Sequence, residues 1–108
     1  MLNSVAFISE KLKKDYECLR EGRFEDKKLY DFITRAISDL KLDHTSGTKI
    51  QKKLWPAFYK PYQITNLWKY DLPNGWRLIY TIEADDVRLV SILLEWFSHK
   101  DYEKRFGY

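Results

Sequence analysis

The pair Asn74-Gly75, set between two β-rich runs, restricts the fold of this chain more than any other feature. Both residue types accept the positive φ that a tight hairpin demands, and Asn66 to Leu72 and Trp76 to Ile82 have the composition of paired strands. An antiparallel hairpin is therefore expected. Its register depends on the loop: a two-residue Asn74-Gly75 loop and a three-residue loop that includes Pro73 put Lys69 on opposite faces relative to Arg77.

The other elements arrange around that hairpin. After a turn at Ala84-Asp85-Asp86, Val87 to Trp96 is apolar on both faces, as in a strand covered on both sides. Ser98 with Asp101 three residues later resembles a capping box and opens a short helix through Tyr102 and Phe106. Earlier in the chain, Ser4 to Ile8 reads as an edge strand. Ser9 then caps a short helix carrying Leu12, Tyr16 and Leu19, which Gly22 stops. From Glu25 onward, Leu29, Phe32, Ile33, Ala36, Ile37 and Leu40 recur every three or four residues and define one helical face. His44-Thr45-Ser46-Gly47 reads as a loop. Between Lys49 and Thr65, Pro56 and Pro61 exclude a continuous helix or a central strand. A long ordered connection is expected there, either functional or packed over an exposed end of the sheet. The order is β-α-α-loop-β-β-β-α.

With 108 residues the chain has the length of a single domain, and 44% hydrophobic against 32% charged residues excludes the composition of disorder. Cys18 is the lone cysteine, which excludes an internal disulfide and a cysteine-based metal site. No apolar run reaches the roughly 18 to 20 residues of a membrane span, and the first residues lack the basic region of a signal peptide. A cytoplasmic protein without membrane contact is expected. No Gly-rich phosphate loop or metal-ligand spacing is present, so no cofactor and no metal are expected. The net charge of +3 is small, but its distribution is uneven. Lys49, Lys52, Lys53, Lys60 and Lys69 fall in a stretch from Thr48 to Lys69 that holds no acidic residue, which suggests a basic stripe. Aromatics make up 17%, more than a core of this size needs, so some rings should lie at the surface, to stack on bases, to anchor a partner, or as a half-buried rim.

Three stretches carry a family resemblance. Leu67-Trp68-Lys69-Tyr70-Asp71-Leu72, followed by Gly75-Trp76-Arg77-Leu78-Ile79-Tyr80, resembles the central hairpin of the RelE/ParE toxin superfamily. Ser98-His99-Lys100-Asp101-Tyr102 resembles the segment after the last strand in many members, and Phe7-Ile8-Ser9-Glu10 with its Lys-rich helix resembles the family's opening. The resemblance implies an α+β, RelE-like fold: a small antiparallel sheet of a short N-terminal strand plus a C-terminal three-strand meander, with two N-terminal helices and a short C-terminal helix. It also implies a toxin of a type II toxin-antitoxin system, a metal-independent endoribonuclease that cleaves mRNA at the ribosome and inhibits translation. Its partners would be a cognate antitoxin, the ribosome and mRNA. The same superfamily includes ParE-like DNA gyrase inhibitors, and a non-catalytic RNA- or protein-binding module of the same fold is a further alternative.

Cleavage by the 2′-hydroxyl needs a base, a cation for the phosphorane and an acid for the leaving oxygen. Under the resemblance, Arg77 holds the scissile phosphate in its planar fork, while His99 and Tyr102 assist proton transfer or stack on a base. Lys52, Lys53 and Lys69 contact RNA. Each has a plainer reading: Arg77 paired across the strands with Asp71, His99 idle on the surface, Tyr102 anchoring the last helix, the lysines merely solvated. Glu95 is a speculative carboxylate at the end of the last strand.

Overall fold

The computed structural model describes residues 2–107. Its hairpin closes on three residues, Pro73 to Gly75, with Asn74 at φ 62° and Gly75 at φ 79°. The elements are β1 (Leu2–Phe7), α1 (Glu10–Leu19), α2 (Phe24–Leu42), β2 (Thr48–Lys49), β3 (Trp68–Asp71), β4 (Arg77–Ala84), β5 (Arg88–Phe97) and α3 (His99–Phe106). Two 3-10 helices, Lys52–Leu54 and Ala57–Tyr62, occupy the connection from β2 to β3.

The α+β class and the helical faces follow the sequence. Ser9 Oγ accepts the Leu12 N–H at 3.1 Å and starts α1, and Leu29, Ile33, Ala36 and Leu40 are the buried stripe of α2. Gly22 acts differently from the expected stop. Its φ is not positive, and a Cβ there would lie 2.4 Å from Asp26 Oδ2. That carboxylate folds back to accept the Arg23 N–H at 3.1 Å, so Gly22 leaves room for the cap of α2.

The sheet departs from the expected antiparallel four strands. It has five, in the order β1-β5-β4-β3-β2, and β1 runs parallel to β5 from Leu2↔Arg88 to Phe7↔Leu93. The helical pair carries the chain from β1 to β2 at the opposite edge, and the antiparallel run through β3 and β4 then brings β5 beside β1 in the same direction. β2 is two residues pairing with Lys69 and Trp68, too short to leave a periodic signal.

Both faces of the sheet are covered. Leu78, Tyr80 and Leu93 pack with Leu72 beneath Leu29, Ile33, Ala36 and Leu40 of α2. On the other face, Ile79, Leu94 and Phe97 pack with Ile50, Tyr59, Leu67 and Tyr102. Fully burying a Leu or Ile stabilises by roughly 1.5–3 kcal/mol, so Ile33 and Leu78 in the first layer and Leu67 and Ile79 in the second, all at 0% exposure, define these layers. A bulge in β5 places Ile79 opposite Glu95 but Tyr80 opposite Leu93. Leu94 is the extra residue, and Glu95 and Phe97 fall on the α3 side with Ile79 and Arg77.

Tyr80 ties the loop after α2 to the sheet: its hydroxyl donates to His44 O at 2.9 Å and accepts the Gly47 N–H at 3.1 Å. Gly47 is correspondingly crowded. A Cβ would stand 2.4 Å from Lys69 O and 2.7 Å from Tyr80 Oη. The first neighbour is backbone and cannot swing away. Gly47→Ala is expected to destabilise by ~1–3 kcal/mol, the usual cost of overpacking, read from urea denaturation.

Burial pushes the Tyr80 phenol up to about 12, and burial with a hydrogen bond to Asp39 does the same for Tyr70. The unfolded chain, with phenols near the ordinary value of about 10, ionises first. Their contribution is complete below about pH 10 and is lost as the pH rises through about 12. Urea midpoints should therefore fall across that alkaline window, and less so in Tyr80→Phe.

Candidate functional site

The three-residue loop settles the hairpin register. Asp71 pairs with Arg77 and Lys69 with Ile79, so Lys69, Asp71 and Arg77 share the face on which α3 lies. Arg77 also pairs with Phe97 of β5, and α3 begins two residues later. Ser98 Oγ accepts the Asp101 N–H at 3.3 Å, as its capping role required.

The first turn of α3 brings the Tyr102 ring under two cations. Lys69 Nζ lies 5.7 Å from the ring centroid and Arg77 Cζ 5.3 Å, both within cation-π reach. Tyr102 is 6% exposed and packs against Phe97 and Phe106, with ring centroids at 5.8 and 4.7 Å. The plainer reading of this residue holds: it anchors the helix. The ring is also one wall of the cation cluster, and its burial leaves no face on which a base would stack.

Arg77 is held from several directions. Its Nη1 donates to Gly75 O at 2.8 Å and Trp76 O at 3.2 Å, and its Nε lies 2.9 Å from Asp71 Oδ1. The Nε–H does not point along that contact, so the pairing with Asp71 is a contact of charges without an aligned hydrogen bond. Lys69 Nζ stands 3.6 Å from the same oxygen. Asp71 thus bridges both cations from a side chain 57% exposed, where solvent screening keeps such pairs weak.

His99 borders the cluster through the turn. A Cβ on Gly75 would lie 3.1 Å from His99 Cβ, so the turn's glycine meets both its φ and this close approach. The imidazole is 59% exposed, and its Nε2 lies 2.7 Å from Glu103 Oε1. Glu103 was not among the sequence candidates. Its signal was present in the i,i+4 spacing from His99 on a helix.

Lys52 and Lys53 lie on the exposed turn Lys52–Leu54 and share no ion pair or ring contact with this group. Glu95 lies on the same face as Arg77 but is occupied elsewhere. It accepts the Tyr59 hydroxyl at 2.5 Å and Arg105 Nε and Nη2 at 3.2 and 3.1 Å. Arg105 Cζ stacks 3.5 Å over the Phe58 ring. Burial, then the bond to Glu95, drives the Tyr59 phenol far above its ordinary range. This network clamps the second 3-10 helix to α3.

The cluster therefore offers a fixed guanidinium, an ammonium and an adjoining imidazole-carboxylate pair, a set that can hold an anion and exchange a proton near it. Among the described residues, no group of three or more His, Cys, Asp or Glu is placed to hold a metal ion, and no helix is long and apolar enough to cross a membrane. Compared with known protein families, curated proteins and solved structures, the chain matches none.

Because Asp71 is mostly exposed, Asp71→Asn should change stability by no more than about 1 kcal/mol in urea denaturation. The same variant should bind inorganic polyphosphate more tightly, since one competing negative charge leaves the two cations. Unchanged affinity would mean that Asp71 does not compete for them.

Proposed function

We propose that this chain is a metal-independent endoribonuclease of the RelE/ParE kind, a toxin that cuts mRNA at the ribosome and is restrained by a cognate antitoxin. The observation that supports this most is the convergence of Arg77 and Lys69 over the Tyr102 ring, beside the turn that seats His99. The fold that this reading requires is likewise part of the proposal, beyond the α+β class and the sheet order already described.

In this mechanism the scissile phosphate displaces Asp71 and takes the Arg77 fork, with Lys69 adding a second positive charge. Cations aimed at a developing phosphorane stabilise it far more than they stabilise the ground state. The weak, solvent-screened hold of Asp71 is readily given up. As the 2′ oxygen bonds to phosphorus and the bond to the 5′ oxygen breaks, His99, its ring oriented by Glu103, takes the 2′-hydroxyl proton and water protonates the departing oxygen. Tyr102 acts as a positioning residue: its buried ring sets the two cations side by side.

A second reading is favoured by the double contact of Asp71 with Lys69 and Arg77, which partly neutralises the site. In that reading the protein binds RNA without cutting it. Primer-extension mapping of mRNA in a purified translation reaction separates the two. Cleavage requires cuts within codons that weaken by about tenfold or more in both Arg77→Ala and His99→Ala, the scale of losing a charge stabiliser or a proton-transfer group. Absence of cuts from folded native protein, with RNA binding unchanged by His99→Ala, would establish the binding module instead.

A further inference from the structure

The connection between β2 and β3 does more than cover the sheet. Its 3-10 helices, Lys52–Leu54 and Ala57–Tyr62, form a cleft of about 270 Å³. Half-buried Trp55 and Pro56 and buried Tyr59 line it, together with the exposed Lys52, Lys60 and Gln63.

Ring chemistry and charge together restrict what this cleft can hold. The Trp55 indole N–H is committed to Ile50 O at 2.9 Å, and the Tyr59 hydroxyl to Glu95 at 2.5 Å. The Tyr59 ring is buried, so the half-buried Trp55 ring, its polar end committed, is the one that offers a ligand a π face and carbon edge. Lys52 and Lys60, by contrast, make no ion pair among the described residues, and no Asp or Glu occurs from Thr48 to Lys69. The one carboxylate that reaches the lining, Glu95 on the Tyr59 hydroxyl, is paired with Arg105, which leaves the two ammonium groups to set the charge of the cleft. A complementary ligand brings a flat ring and a negative charge. The volume lies just below the roughly 300–1,000 Å³ of typical small-molecule sites, so it suits one ring system with its anionic group, not two.

We propose that this cleft binds a nucleotide, an aromatic base together with its phosphate. Discrimination among bases is weak, because the polar groups not already committed are one amide, which can donate and accept, and two ammonium groups, which only donate. Gln63, in the left-handed region at φ 53°, ends the second 3-10 helix and lines the cleft. The inference stands on these residues and does not require cleavage at Arg77.

A free mononucleotide and one nucleotide of an RNA strand share this chemistry. Isothermal titration of the full chain with AMP, UMP, adenosine and a single-stranded hexaribonucleotide compares them, and amide NMR locates the site. AMP and UMP are expected to bind with similar affinity and adenosine at least about tenfold more weakly, a difference of about 1.4 kcal/mol. The Trp55 indole N–H and Gln63 side-chain amide signals should move on titration. Lys60→Glu should weaken AMP at least about tenfold, while Lys14→Glu, an equal charge change on α1 across the sheet, leaves it unaltered. Loss of the hexaribonucleotide alone on Lys60→Glu would assign the cleft to a nucleotide within a strand, and loss of AMP alone to a free nucleotide; either supports the proposal. No binding of any of these probes, equal affinity for adenosine and AMP, or binding that Lys60→Glu leaves unchanged overturns it.

Discussion

The hydrogen bond from the Leu72 N–H to Trp76 O, 2.8 Å long, closes the hairpin around three residues, and the character of both sheet faces depends on it. Side chains alternate along a strand, so a slip of one residue would turn Lys69 and Asp71 toward α2 and Trp68 and Tyr70 toward α3. The α2 side is an apolar layer built on Ile33, Ala36 and Leu40, and unpaired charges there would be costly. Tyr70 would also lose its bond to Asp39 of α2. The turn and the helical layer thus demand the same register, and the cation cluster results from their agreement.

The two layers over the sheet differ in construction. On one side, α2 presents a regular stripe along 19 residues. On the other, two short 3-10 helices and an eight-residue α3 cover the sheet, and none is long enough to bury a wide apolar face. Polar links compensate for that thinness. Glu95 receives Tyr59 and Arg105, and Trp55 reaches back to Ile50, so side-chain hydrogen bonds join the irregular layer, whereas on the α2 side bonds such as Tyr70 to Asp39 supplement a continuous apolar stripe. A partly buried carboxylate left without such partners is unfavourable, so Glu95, Tyr59 and Arg105 act as a unit.

What was legible in the sequence was local. The Asn74-Gly75 turn, the stripe of α2 and the Ser9 and Ser98 caps each announce themselves within a few residues, by positive-φ tolerance, by period, or by a side-chain oxygen three residues from an orphan N–H. The parallel pairing of β1, the two-residue β2 and the bulge at Leu94 depend on strands far away in the chain, and no short window carries them. The site divides along the same line. Arg77, Lys69 and Tyr102 lie together, and the cross-strand pairing of Arg77 with Asp71 is in place. That Lys69 shares the Arg77 face rested on a register two loop lengths left open. Lys52 and Lys53 were grouped with them by charge alone, which says nothing of position. Glu103 was overlooked because its value comes from the orientation of His99.

The pairing of β1 with β5 has a consequence in time. Leu2 meets Arg88 and Phe7 meets Leu93, so β1 has no partner in the sheet until residues 8–87, which separate it from β5, and β5 itself have been made. At synthesis rates of about 5–20 residues per second, that wait lasts several seconds. During it, the two N-terminal helices are already complete but have only an unfinished sheet to pack on. Contacts this distant in sequence slow folding, since the loop must close before the pairing rewards it. The cation cluster, which needs Phe97 beside Arg77 and Tyr102 beneath it, accordingly cannot form before β5 and α3 are made.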